Sequence, residues 1–183
     1  MNNYIEWFKK NKITEVECLI PDNSGIPRGK ILPTKKFLSS FESGGLRLPL
    51  HLFKLAVSRS VSYSIDDQLL NPTDGDFILK PDFNTLRVVP WYEEPTAQII
   101  CDAVDSKENE IEVYSRGILK RVINLFNDIG LEPIIAPEIE FYLVKKNNDP
   151  DYPLETPSGQ SGRIEKGNQS YGIDAINEFD HIF

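Results

Sequence analysis

Apolar residues recur along the first half of the chain with two different periods, and each change of period marks an element. Tyr4, Ile5, Trp7 and Phe8 follow helical spacing and end in the polar Lys9-Lys10-Asn11-Lys12, which predicts a short amphipathic helix. The period then drops to two. Val16, Cys18 and Ile20 fall on one side of a strand over residues 14–20. Pro21-Asp22-Asn23-Ser24-Gly25 is a turn cluster, and residues 26–32 predict a second strand that Pro27 marks as irregular or at an edge. Phe37, Leu38 and Phe41 return at helical spacing over residues 34–42, closed by Gly44-Gly45. Further strands are expected at 48–57, 77–80, 86–89 and 97–104, separated by loops containing Pro72, Gly75, Pro81, Pro90 and Pro95.

Two strands, one main crossing helix and then more strands is the order of an α+β sheet with its helix on one face, the β-grasp arrangement. The polar stretch Asp105-Ser106-Lys107-Glu108-Asn109-Glu110 interrupts the apolar pattern, so the domains are placed at 1–108 and 109–183. Ser115 is the expected N-cap of a helix whose Ile118, Leu119, Val122, Leu125, Phe126 and Ile129 form one stripe, with Gly130 as its stop. Ala136-Pro137-Glu138-Ile139-Glu140-Phe141-Tyr142-Leu143 then predicts a strand that turns Ile139, Phe141 and Leu143 toward that helix. One helix and one strand cannot bury a core, and residues 147–183 are rich in Gly, Pro, Ser and Asn. The second unit therefore reads as the start of a larger domain, and the chain as a fragment.

Composition narrows the classes of function. At 183 residues with 40% hydrophobic and 26% charged residues, the chain is expected to be globular, with one domain or a domain and a half. A net charge of −8 argues against a general nucleic-acid binder, because Lys9-Lys10, Lys35-Lys36 and Lys145-Lys146 are short, scattered pairs rather than a patch. Two cysteines far apart, Cys18 and Cys101, do not indicate a disulfide framework. With no secretory pattern at Met1-Asn2-Asn3-Tyr4-Ile5-Glu6 and no membrane-length apolar run, a reducing, cytoplasmic setting is expected.

The chemistry concentrates in Glu138 and Glu140. Alternate residues of a strand share a face, with Cβ atoms roughly 6.5–7 Å apart. Two hard divalent cations suit such carboxylates and can clamp a phosphoryl group during transfer. A solvated sheet face has the same pattern, so the pair by itself leaves both readings open.

The chain as a whole resembles the glutamine synthetase family, and more closely its branch that joins glutamate to amines such as putrescine. The resemblance rests on the order and spacing of Glu15-Val16-Glu17-Cys18, Ser24-Gly25-Ile26-Pro27-Arg28-Gly29-Lys30, Val89-Pro90-Trp91-Tyr92-Glu93-Glu94-Pro95-Thr96-Ala97, the Glu138/Glu140 segment, Ser161-Gly162-Arg163 and Ile173-Asp174-Ala175-Ile176-Asn177-Glu178-Phe179-Asp180. It implies a β-grasp domain followed by the start of an ATP-dependent catalytic domain, with less than half of a family chain present. It implies that Glu138 and Glu140 each bind one of two active-site Mg²⁺ or Mn²⁺ ions. The implied reaction uses ATP to make γ-glutamyl phosphate, which an amine or ammonia then converts to a γ-glutamyl amide, in a homo-oligomeric ring. The family's other metal ligands and its ATP and glutamate grips fall beyond Phe183, so this chain alone is expected to be inactive. Where many members carry an ammonium-handling aspartate, the chain reads Leu55-Ala56-Val57-Ser58-Arg59, which fits an amine acceptor. The competing reading is a non-catalytic β-grasp interaction or assembly module.

Other residues receive structural expectations. Arg28 and Lys30 read as solvated edge-strand charges, His51 as a partly buried sheet residue, and Trp91 and Tyr92 as packing at a domain junction. Asp180-His181 lacks a nucleophile for a triad. Arg163, in a Gly/Ser loop, is a weak phosphate candidate.

Overall fold

A computed structural model describes residues 2–40, 43–55, 75–164 and 172–180. Strand β1 (Glu15–Pro21) forms where the period-two pattern predicts, with Val16, Cys18 and Ile20 at 0–1% exposure. It pairs antiparallel with β2 (Pro27–Pro33) in the register Cys18↔Lys30 and Leu19↔Gly29. The intervening turn closes on Asp22, whose amide donates to the Ile26 carbonyl while Gly25, at φ +77°, returns to the Asp22 carbonyl. Gly29 permits the strands to approach: a Cβ there would stand 1.8 Å from the Cys18 carbonyl oxygen.

Helix α1 (Asn2–Lys10) and helix α2 (Thr34–Ser40) each bring a phenylalanine to the same core, Phe8 and Phe37, with ring centroids 5.8 Å apart. The sequence expects one main helix on the sheet, and the N-terminal helix joins it. After α2, the Gly45 amide reaches the Ser40 carbonyl at 2.8 Å with φ +82°, the left-handed stop that the glycine pair predicts.

β3 (Leu46–Pro49) is short. The expected strand over 48–57 instead turns into a 3-10 helix at Leu50–Lys54 that buries Phe53, and residues 56–57 lie outside the described residues. β4 (Asp76–Pro81), β5 (Arg87–Val88) and β6 (Thr96–Val104) match the remaining predicted strands. Together they make a mixed six-stranded sheet in the order β2-β1-β6-β4-β3, with β5 pairing β6. β1 and β6 run parallel at its centre, Cys18 opposite Ile99. β6 is almost wholly buried: Ala97, Ile99, Cys101 and Ala103 face the core, while Thr96, Gln98 and Asp102 are buried on the other side.

The polar stretch after β6 is a built turn. Asp105 accepts from the Lys107 and Asn109 amides and the Asn109 side chain, and the Ile111 amide returns to Ala103. Helix α3 (Ser115–Asp128) follows, with Tyr114 as its N-cap residue and Ser115 as its first helical one. Gly130 ends it at φ +76°, and the Leu131 amide donates to Phe126. The chain divides into two compact units, Met1–Pro133 and Ile134–Phe183. The second contains α4 (Ile173–Phe179) and a bridge between Ser158 and Ile164.

Candidate metal centre

Glu138 and Glu140 lie in the second unit, in a segment that is not part of any strand ladder. The predicted strand is absent here, because a strand exists only when a neighbour satisfies its amides and carbonyls. Both glutamates are exposed, and Ile139 and Phe141, expected to be buried, are 83% and 63% exposed. Among the described residues no group of three or more His, Cys, Asp or Glu side chains is placed to hold a metal ion. Two carboxylates can supply only part of the about six oxygen ligands that Mg²⁺ requires. The pair is available for metal chemistry but does not by itself enclose an ion.

Other candidate residues of the sequence are engaged structurally. Arg163 turns back onto α4, where its guanidinium meets Glu178 at 3.3 Å and the Ser161 hydroxyl at 2.9 Å. Glu178 also accepts from the Ser161 amide at 2.7 Å and from its hydroxyl, and these hydrogen bonds, with Arg163, hold its carboxyl below the usual range. Arg163 thus joins this local latch while its side chain stays 76% exposed. Arg28 is not a free edge charge, since its Nε pairs at 2.9 Å with Asp22, a carboxylate buried to 1% exposure. Lys30 donates to the Arg47 carbonyl at 2.8 Å. His51 is exposed on the 3-10 turn rather than within the sheet. Trp91 is 65% exposed and Tyr92 44%, so neither is the core packing expected of them. Positions 56–59 of the Leu55–Arg59 comparison, and His181, lie outside the described residues.

The sequence pattern missed two polar networks that surround β6. On the sheet face away from the main core, the Glu17 carboxylate, 7% exposed, accepts from Tyr92 Oη at 2.6 Å and Gln98 Nε2 at 2.8 Å. Arg87 Nε donates to Gln98 Oε1 at 2.9 Å. The Glu17 carboxylate that accepts its hydrogen bond, with burial, pushes the Tyr92 phenol up. The sequence carries little local signal, because Glu17 alternates with the Val16, Cys18 and Ile20 face, where a solvated carboxylate is the ordinary expectation. In the second network, Asp102 accepts from Arg116 Nε at 2.9 Å and from Lys120, while Arg116 also pairs with Asp82. Beside it Tyr114 is fully buried, and among the described residues its hydroxyl meets no partner at hydrogen-bond geometry. Desolvation, reinforced by the Asp102 and Glu110 charges, pushes the Tyr114 phenol up. Cys18 and Cys101 are free and buried; contact with Cys18 and burial push the Cys101 thiol up, so Cys101 is not an activated nucleophile.

Residues 112–183, which include Glu138 and Glu140, match the family described as glutamine synthetase, catalytic domain. Over that stretch the chain is similar to the glutamine synthetases. A glutamine synthetase of Methanocaldococcus jannaschii is 32% identical over 152 residues, covering 81% of this chain and 32% of that protein. Gamma-glutamylputrescine synthetase PuuA of Escherichia coli K12 is 26% identical over 183 residues, covering 98% of this chain and 37% of that protein. A glutamate--isopropylamine ligase of a Pseudomonas species is 27% identical over 139 residues, covering 76% and 30%. The chain thus spans about a third of the length of the curated relatives it matches. Among solved structures, a GmaS/ADP complex superimposes with a TM-score of 0.52 at 17% identity, over 70% of this chain and 26% of that one. That likeness concerns the mixed α+β fold. Among the described residues no helix is long and apolar enough to cross a membrane.

Proposed function

We propose that this chain supplies the N-terminal part of an ATP-dependent glutamate ligase: a β-grasp domain, residues 1–108, and the beginning of a catalytic domain, residues 109–183. The observation that carries the reading is the catalytic-domain match over residues 112–183, which contains both glutamates of the Glu-x-Glu segment. The strand order β2-β1-β6-β4-β3, with a parallel central pair and α2 packed on the core, supports the β-grasp assignment. In this reading Glu138 and Glu140 are first ligands of two Mg²⁺ or Mn²⁺ ions, completed by residues this chain does not contain. Those ions would neutralise the phosphoryl group moving from ATP to the glutamate γ-carboxylate, leaving the carboxylates to position charge rather than attack. The acceptor is a primary amine of the putrescine kind, with ammonia as the alternative. The working form is a cytoplasmic homo-oligomeric ring.

Mn²⁺ titration followed by electron paramagnetic resonance tests the metal assignment. The 183-residue chain is expected to bind weakly, with Kd on the order of a millimolar, because two carboxylates leave most coordination sites to water. Glu138→Gln and Glu140→Gln together should abolish even that; indistinguishable titrations for the wild type and the double variant would remove these residues from the metal reading. The reaction itself is tested by glutamate-dependent phosphate release from ATP, with ammonium, isopropylamine and putrescine compared. The assay uses the chain alone and the chain fused to the part of the M. jannaschii relative outside the matched region. Activity is expected only in the fusion. A second reading is a non-catalytic assembly module. A fusion that folds and binds ATP but forms no γ-glutamyl product would support it.

A further inference from the structure

Residues 158–164 form a small hairpin held by its own backbone. Ser158 bridges Ile164, the Gly159 amide donates to the Arg163 carbonyl at 2.8 Å, and the Gly162 amide returns to the Gly159 carbonyl at 2.9 Å. At its tip three donors converge on one carboxylate. The Ser161 amide, at 2.7 Å, and the Ser161 hydroxyl both donate to Glu178 Oε1, and the Arg163 guanidinium reaches Glu178 Oε2 at 3.3 Å. Arg163 Nε also donates to the Ser161 hydroxyl at 2.9 Å, which fixes the two side chains against each other. An amide, a hydroxyl and a guanidinium aimed at one pair of oxygens is a donor set that holds carboxylate and phosphate groups. Here the oxygens belong to the chain itself.

Glu178 fills this tip as an occupant and not as part of its frame. None of the hairpin's internal backbone bonds passes through the Glu178 side chain, so the tip keeps its shape when the carboxylate leaves. The other tie between hairpin and helix α4 is main-chain, from the Gln160 amide to the Glu178 carbonyl at 2.9 Å. Gly159 admits the occupant, since a Cβ at that position would collide with Glu178 Cγ. The Glu178 side chain is drawn in to 14% exposure, and the donors around it keep its carboxyl ionised to lower pH than usual. A tethered occupant competes at an effective concentration of about millimolar or more, so it shuts out a weakly held free anion.

We propose that the tip formed by Ser161, Gly162 and Arg163 is an oxyanion site, for a phosphate or carboxylate group, which the chain keeps closed with the Glu178 carboxylate. The proposal stands on the second unit alone and does not depend on the ligase reading. Amide correlation spectra of the full chain, titrated with sodium phosphate and separately with sodium acetate at constant ionic strength, read the site at the Ser161 amide and at Arg163 Nε. The wild type should show no saturable shift up to about 20 mM of either anion, because Glu178 is in place. Glu178→Ala should give a saturable shift with Kd of about 1–10 mM, and adding Arg163→Ala should weaken it about tenfold. Glu178→Gln keeps the side chain's volume and an acceptor oxygen while losing its charge, so it should bind between the wild type and Glu178→Ala even where the alanine variant loosens the hairpin. The anion with the lower Kd names the group the site takes. No saturable shift in either Glu178 variant would make the contact a structural clasp only and overturn the proposal. So would a wild type that binds as tightly as Glu178→Ala, an equal response to sodium chloride, or binding indifferent to Arg163.

Discussion

Adding a methyl group at Gly117 ought, on helix propensity alone, to strengthen α3 by about 1 kcal/mol. Packing reverses that sign. A Cβ at this position would stand 2.4 Å from Tyr114 Cε1, and Tyr114 is fully buried against Phe53. Gly117→Ala is therefore expected to destabilise the first unit by about 1–3 kcal/mol in urea unfolding. Tyr114→Phe is expected to be neutral or slightly stabilising, because it removes a buried hydroxyl with no well-formed hydrogen bond among the described residues. A second residue carries a pH dependence. Burial alone would raise the Asp22 carboxyl, but the Ile26 amide, Arg28 and the Ser24 amide outweigh it and hold the group below its ordinary value. The stability Asp22 contributes is thus fully present above its unfolded value of about 3.9 and is lost as pH falls through the lower folded value. Asp22→Asn should lower stability at pH 7 by about 1–3 kcal/mol and flatten the loss of stability below about pH 4, read from urea midpoints across pH. Sequence showed the turn at Asp22 but not its carboxylate's partners, since Arg28 reaches it only once the hairpin has closed.

At the scale of elements, period and punctuation were enough for β1, β2, α2, β4, β6 and α3, because their apolar patterns are bounded by Gly, Pro or a polar turn cluster. What they could not supply was partnership. The β1–β6 pairing joins residues about eighty positions apart, and nothing local announces that Glu17 will face Gln98. The same gap explains the Glu138 segment. Its alternation is as regular as that of β1, yet no ladder forms, because alternation describes a face and only a neighbouring strand makes it one. Helix α3 gives the reverse case, an element correctly located whose buried side could not be read from its apolar stripe. Its docking predicts that Asp102→Ala, which leaves Arg116 and Lys120 without their shared carboxylate, will loosen the helix by about 1–3 kcal/mol. Hydrogen exchange should show faster amides in α3 and unchanged protection in β1. Equal acceleration in both would mean that Asp102 supports the whole sheet and not the helix in particular.

Across the whole molecule the two units are built to different standards. The first encloses a continuous core from Phe8 to Tyr114, with a six-stranded sheet through it. The described part of the second has one seven-residue helix, a single bridge and short-range turns, and its large apolar residues Ile134, Ile135, Ile139 and Tyr142 are 69–95% exposed. Burial of such side chains is worth about 1.5–3 kcal/mol each, and here that contribution is missing. The chain alone is accordingly expected to unfold in two steps, with amides over residues 134–144 exchanging at nearly unprotected rates while those of β1 and β6 exchange only on global opening. The candidate metal residues lie in that weak segment. If the ligase reading holds, joining the chain to the missing catalytic residues should slow exchange around Glu138 and Glu140 by orders of magnitude, and Mn²⁺ should slow it further by binding the ordered state. Protection of residues 134–144 in the isolated chain, without metal or added sequence, would show that this segment orders itself and would separate its folding from the assembly of a metal site.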